Sequence, residues 1–290
     1  MPLSRCFAAL ALLALAAFPA KLAHAQATSG SVEVNGARIA YRVQGHGPAL
    51  MLIHGYPLSG ELFARNRAAL ARHYTVVTPD LRGFGSSTTP DADGSVQIYA
   101  KDMLGVMDHL HVTKAIIGGM SMGGPVVLEM YREAPQRFRG LILIDSTTSP
   151  ASPVEQGEWT GFGKLAEQKG VAAQIPLLMP NMLTAKTRMA NMPLVSFVGG
   201  IVKRASVKAA VGGGKTLATR PDSRKTKIGV PVLILEGMDD PLYPVEMAKK
   251  IHQDTPGSRL AIIPGAAHAA IIEKPELCNQ AILGWASSLR

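Results

Sequence analysis

A chain of 290 residues that is 47% hydrophobic and 18% charged is long and apolar enough for one large core, which excludes a disordered or fibrous class. Its two cysteines exclude a disulfide framework, and the formal net charge of +9 raises the question of an anionic partner. That charge is unevenly placed: twelve Lys and Arg against two acids, Glu167 and Asp222, fall between Thr160 and Ile228. With only Phe162 and Phe197 as aromatics, this stretch lacks the basic–aromatic interleaving of a nucleic-acid surface. It is read as a solvated basic face, and no nucleic-acid partner is expected.

The first 25 residues carry Arg5, an apolar run from Phe7 to Phe18, and Ala23-His24-Ala25 as a small-residue cleavage site. This is the three-part pattern of a secretory signal peptide. The run is shorter than the ~20 residues of a spanning helix, so no stable membrane span is expected and the mature chain is placed in the periplasm or outside the cell. Cys6 leaves with the leader, and Cys278 remains as a small hydrophobe on the apolar face of a C-terminal helix.

Beyond the leader, short apolar runs alternate with longer amphipathic ones, the pattern of a mostly parallel sheet with helices on both faces. Ser31–Val34 and Arg38–Val43 alternate as an edge pair, and Ala49–Ile53, Thr75–Thr78, Ala115–Gly118 and Leu141–Ile144 follow as strands. Val232–Leu235 and Arg259–Ile263 complete them. Helices are expected at Glu61–Ala71, Val96–His109, Met122–Glu133, Val245–His252 and Pro275–Leu289. The alternation breaks once, between Ile144 and Val232, where prolines and the Gly212-Gly213-Gly214 run punctuate Leu- and Met-rich pieces. A structureless loop of that length is implausible in a compact domain. The expected organisation is therefore a leader (1–25), a core (26–149), an inserted helical cap (150–226) and the rest of the core (227–290).

Gly118-Gly119-Met120-Ser121-Met122-Gly123-Gly124 joins the strand Ala115–Gly118 to the following helix. A serine on so tight a turn needs glycines two residues to either side to avoid collision, and it projects above the carboxyl edge of the sheet. Ser121 is the candidate nucleophile. A serine hydroxyl needs a base, and the base an orienting acid. His268, in Pro-Gly-Ala-Ala-His beyond the strand Arg259–Ile263, is the candidate base, with small neighbours expected to leave its ring accessible. The acid belongs at the end of the preceding strand, where Asp240 is favoured, Asp239 is the second candidate and Asp145, after Leu141–Ile144, a third. The backbone N–H groups of Met122 and Tyr56 are the candidate oxyanion donors, and His54 is read as holding the Tyr56 loop by hydrogen bonds.

His54-Gly55-Tyr56-Pro57, Asp80-Leu81-Arg82-Gly83-Phe84-Gly85-Ser86-Ser87, the Gly118–Gly124 elbow, Gly237-Met238-Asp239-Asp240-Pro241 and Gly265-Ala266-Ala267-His268 stand in the order found in α/β hydrolases. The chain resembles that superfamily from about residue 30 to its end, nearest to small esterases, enol-lactone hydrolases and cofactor-free haloperoxidase-like enzymes. The resemblance implies a triad of Ser121, Asp240 and His268, oxyanion donors at Tyr56 and Met122, a structural role for Arg82, no metal or organic cofactor, and an ester or lactone as small-molecule substrate. Ser121 departs from the aspartate that epoxide hydrolases and haloalkane dehalogenases carry at the elbow. Met120 departs from the aromatic common before the serine in haloperoxidase-like members. A perhydrolase-like enzyme and a non-catalytic binder of small molecules are the alternatives. The leader reading predicts a mature N-terminus at Gln26, which the intact mass of the exported protein checks; a mass retaining Met1 to Ala25 would restore a membrane anchor.

Overall fold

The computed structural model describes residues 27–88 and 94–289; the leader reading lies outside them. Eight strands form one sheet in the order β1-β2-β4-β3-β5-β6-β7-β8. They are β1 (Thr28–Val34), β2 (Ala37–Gln44), β3 (Ala49–Ile53), β4 (Thr75–Pro79), β5 (Ala115–Met120), β6 (Phe138–Ile144), β7 (Val232–Gly237) and β8 (Arg259–Ile263). β1 and β2 pair antiparallel at one edge, β2 meets β4 antiparallel, and every other pairing is parallel. β5 and β7 are buried along their whole length, as strands covered on both faces must be.

Helices α1 (Ala64–Leu70), α2 (Val96–His109), α3 (Gly123–Glu133), α9 (Val245–Asp254), α10 (Ala270–Glu273) and α11 (Pro275–Ala286) flank this sheet. Between β6 and β7 lie α4 (Pro153–Lys169), α5 (Ile175–Met182), α6 (Ala185–Ala190), α7 (Met192–Val202) and α8 (Val207–Ala218). Among the described residues no helix is long and apolar enough to cross a membrane. The expected helix Glu61–Ala71 is split: Gly60–Phe63 is a 3-10 turn, capped by the Ser59 hydroxyl, which accepts from the Glu61 N–H, and α1 begins only at Ala64.

The Gly212-Gly213-Gly214 run, expected as punctuation, lies inside α8. Three glycines weaken a helix by up to about 1 kcal/mol each. Here they let α8 approach its neighbours closely. A Cβ on Gly213 would stand 2.7 Å from Tyr56 Cδ2 and 3.0 Å from Phe84 Cζ, and one on Gly214 would stand 2.6 Å from the Trp159 carbonyl oxygen. α8 is thereby seated on α4 and on the Tyr56 loop.

Cap and core are joined at several points. Buried Arg220 donates to the carbonyls of Ser149 and Leu217 and pairs with Glu155 at 2.6 Å, drawing the two ends of the insertion together. Gln174 donates to the Tyr56 hydroxyl at 2.7 Å, and Trp159 meets the Tyr56 ring edge-on. Lys203 and Arg204 face outward.

Gly213→Ala is expected to lower the melting temperature by several degrees, because the added methyl group meets a ring held on both sides. Gly200→Ala, in α7 with nothing within 4 Å of the new Cβ, should instead raise stability by up to about 1 kcal/mol, or roughly 2–4 °C. Thermal melts of both variants check the contrast.

Candidate active site

Parallel pairing brings five loop positions to one edge. Ser121 follows β5, Asp145 follows β6, Asp240 lies beyond β7, His268 beyond β8, and Tyr56 beyond β3. The elbow is held by backbone contacts. Ser121 has φ +52°, in the left-handed region that costs a non-glycine residue on the order of 1–2 kcal/mol. Its N–H donates to Ile144 O, and its carbonyl accepts from Gly124 N–H and the Ser146 hydroxyl. A Cβ on Gly119 would lie 2.1 Å from Gly123 O, and one on Gly123 2.5 Å from Ile53 O. Only glycine allows these approaches.

Ser121 Oγ lies 2.9 Å from His268 Nε2, and His268 Nδ1 lies 2.7 Å from Asp240 Oδ2. The other Asp240 oxygen accepts from the N–H groups of Leu242, at 2.7 Å, and Tyr243, at 3.1 Å. Burial alone would raise the Asp240 carboxyl; the charge of His268 and the hydrogen bonds outweigh it and hold the group below the usual aspartate value. Asp239 is exposed and its side chain makes no contact with His268 among the described residues, so the structure brings Asp240, not Asp239, to the histidine. The ring of His268 is not accessible as expected: the residue is 1% exposed, under the cap and edge-on to Tyr243.

Among the described residues the N–H groups of Tyr56 and Met122 meet no acceptor. Gly55 rests against the elbow, where a Cβ would stand 2.9 Å from Ser121 Cβ, so the Tyr56 backbone follows directly beside the serine. His54 faces Gly55 O at 2.8 Å with Nδ1 and accepts from Leu81 N–H at 2.9 Å with Nε2. Burial, the largest influence, holds this imidazole below its usual value, so it is neutral and able to accept. Arg82 forms a bidentate pair with buried Asp102, 2.6 Å on each arm. Cys278 is buried, its Sγ facing the Ala270 carbonyl.

The cap reaches the histidine through the backbone. His268 N–H donates to Asn181 O at 3.2 Å and Ala269 N–H to Met182 O at 2.9 Å. Glu273 adds a second tie: one carboxylate oxygen accepts from the Thr184 N–H and hydroxyl, the other from Ala267 N–H.

Two features escape a reading of sequence. The first is a carboxyl cluster: Asp145, Glu236 and Asp240 bring oxygens within 4.8 Å of one another. Asp145 accepts from Gly237 N–H at 2.7 Å and Ala270 N–H at 3.1 Å. Each aspartate oxygen thus already has a donor, which makes this a hydrogen-bonded cluster in chemistry. Burial, reinforced by Asp145 and Asp240, pushes Glu236 up to about 12, and burial also raises Asp145. The available signal was one acid inside the apolar strand β7. The second is a cavity of about 490 Å³ between α4, α5 and the loop after Asp240, lined by Trp159, Phe162, Leu165, Leu177, Leu178 and Leu242, with Glu158 and Asn181 among its polar neighbours.

A family model described as "alpha/beta hydrolase fold" matches residues 48–172, and one described as "TAP-like protein" matches residues 213–284. An uncharacterised protein of Mycobacterium tuberculosis is 30% identical over 273 residues, covering 83% of this chain and 76% of its own length. The 3-oxoadipate enol-lactonase 2 of Acinetobacter baylyi is 25% identical, covering 81% and 87%. Among solved structures, a thermophilic esterase from Thermogutta terrifontis is similar with a TM-score of 0.86 and 26% identity, covering 90% of this chain and 99% of that one.

Glu273→Ala leaves the Ala267 and Thr184 N–H groups without their acceptor. Each unpaired buried donor costs about 1–3 kcal/mol, so urea unfolding should show a clear loss of stability, and Glu273→Gln, which keeps one acceptor oxygen, a smaller one.

Proposed function

Because this chain belongs to the α/β-hydrolase family, we propose that it cleaves a carboxylic ester or lactone through an acyl-enzyme formed on Ser121. The observation that carries the reading is the continuous relay Ser121 Oγ, His268 Nε2, His268 Nδ1, Asp240 Oδ2, with steps of 2.9 and 2.7 Å. His268 takes the hydroxyl proton as Ser121 attacks the carbonyl carbon, while Asp240 holds the ring and stabilises the imidazolium. The developing oxyanion receives the N–H groups of Tyr56 and Met122, which are preorganised and already without other acceptors. The proton then passes to the leaving alcohol, or to the ring-opened hydroxyl of a lactone. Water activated by the same histidine releases the acid.

The cavity adjoins the relay through Trp159 against Tyr56, Leu242 beside Asp240 and Asn181 beside His268, and its walls are our guide to the substrate class. They are leucine and aromatic side chains, with Glu158 as the one charged side chain among the lining residues and no Lys or Arg. A neutral ester with an apolar acyl or alcohol group fits such a lining, whereas a free carboxylate would meet Glu158. Most basic residues of the cap, Lys203 and Arg204 among them, face solvent and give that outer face its charge, whereas Arg220 is buried. The leader read over residues 1–25 would place this hydrolysis in the periplasm or outside the cell.

Ser121→Ala should reduce kcat by on the order of a millionfold and abolish labelling by a fluorophosphonate probe, with the fold intact by circular dichroism. Asp240→Asn should cost about 10⁴ in kcat, and Asp239→Asn little. Turnover of p-nitrophenyl esters checks all three; substantial activity in Ser121→Ala, or a larger loss at Asp239 than at Asp240, overturns the assignment.

A further inference from the structure

We propose that Glu236 is a neutral carboxylic acid that donates its proton to the Asp240 carboxylate, and so acts as a positioning residue for the acid behind His268. The positioning half rests on the triad reading above; the protonation half does not.

Donors are unequally shared among the three carboxyls. Asp240 has three N–H groups facing it, from Leu242, Tyr243 and His268. Asp145 has two, from Gly237 and Ala270. Glu236 is 1% exposed, and neither of its oxygens meets any N–H or hydroxyl donor. What it does meet is the other two carboxyls. A buried carboxylate with no donor, facing two further carboxylates, is among the costliest arrangements in a protein. The same geometry with a proton on Glu236 turns a repulsion into an O–H···O⁻ hydrogen bond, the stronger kind. The proton belongs on Glu236 because that is the carboxyl the backbone has left without donors. The negative charge belongs on Asp240, where the histidine and two N–H groups converge.

The consequence for the relay is twofold. The O–H gives the Asp240 carboxylate a further fixed hydrogen bond besides those from His268, Leu242 and Tyr243. It also draws charge away from Oδ2, tempering the attraction that would otherwise hold His268 as a cation. Other ionisable groups around this point are Tyr243, edge-on to the histidine and raised to about 12 by burial, with Arg220 and Glu155 acting on it from the cap. Cys278 lies behind Asp145, its thiol pushed up by burial. Glu273 is tied to Ala267 N–H. None of them offers Asp240 a side-chain donor in place of Glu236.

Thermal melts of wild type and Glu236→Gln between pH 5 and 9 test the protonation without reference to activity. An acid whose folded value is raised contributes stability that is present below its unfolded value, near 4.5, and is lost as pH rises, because the unfolded chain gives up the proton and the folded one keeps it. Gln has no such loss. The melting temperature of Glu236→Gln should therefore gain on wild type by roughly 3 °C per pH unit; a constant difference means that Glu236 is ionised in the fold and overturns the proposal. The positioning half is read from the kcat/KM–pH profile. Glu236→Gln, which keeps a donor and no charge, should hold kcat within about twofold with the acid limb in place. Glu236→Leu should lower kcat about tenfold and move the acid limb to higher pH. A limb that moves down in Glu236→Gln, or a Glu236→Leu enzyme identical to wild type, overturns it. A wild type that hydrolyses no ester defeats the triad reading alone. The downfield resonance of His268 Nδ1–H then decides positioning: displaced in Glu236→Leu and unmoved in Glu236→Gln if the proposal holds, unmoved in both if it does not.

Discussion

The backbone crossing at the end of β5 sets the terms for the rest of this molecule. Strand β5 must turn into α3 between β3 and β6, where a Cβ on Gly119 would collide with Gly123 O and one on Gly123 with Ile53 O. Packing at that crossing forces Ser121 into the left-handed region, and two backbone hydrogen bonds and one from the Ser146 hydroxyl keep it there. Such strain persists only where the surroundings over-determine it. The surroundings here are the buried centre of a parallel sheet, which cannot relax locally without losing its ladder. A serine so placed has its hydroxyl directed away from the sheet and its neighbour's N–H turned outward beside it.

The other groups are assembled on the same edge by register rather than by proximity in sequence. Gly119 is level with Ile53 in β3, and Ile144 with both Met120 in β5 and Leu235 in β7. The loops leaving these strands therefore emerge together. Each is then fixed by its own local means: the Tyr56 loop by neutral His54, the Asp240 loop by N–H groups that the carboxylate itself collects, the His268 loop by Glu273 and by carbonyls from the cap. The division is physically sensible. A rigid sheet sets the spacing between functional groups, and short-range hydrogen bonds set their orientation.

How far this was legible in sequence depended on the range of the forces involved. Ser121 between its glycines and the apolar runs at β3, β5, β6 and β7 announce themselves, because strain relief and two-sided burial act on neighbouring residues. His268 follows from chain order. The role of Gly212-Gly213-Gly214 was not legible: glycines that break a helix and glycines that let one seat deeply have the same composition, and only the ring of Tyr56, some 160 residues away, tells them apart. Burial of His268 was hidden for the same reason, since the cover comes from α5 and its flanks. Glu236 lay in plain view as one acid in an apolar strand, but its meaning required knowing that Asp145 and Asp240 converge on it from two other loops.

The two hydrogen bonds from His268 and Ala269 to the carbonyls of Asn181 and Met182 make the insertion and the histidine one mechanical piece. A helical insertion between two neighbouring strands invites description as a detachable module. In this chain the module also carries part of the scaffold of the histidine. Grafting a foreign insertion between β6 and β7 would remove those two acceptors along with Thr184, and with them the anchorage of the loop bearing the imidazole. The insertion and the placement of the imidazole are inherited together here, and recombination that respects the strand boundaries must also carry residues 181–184 across intact.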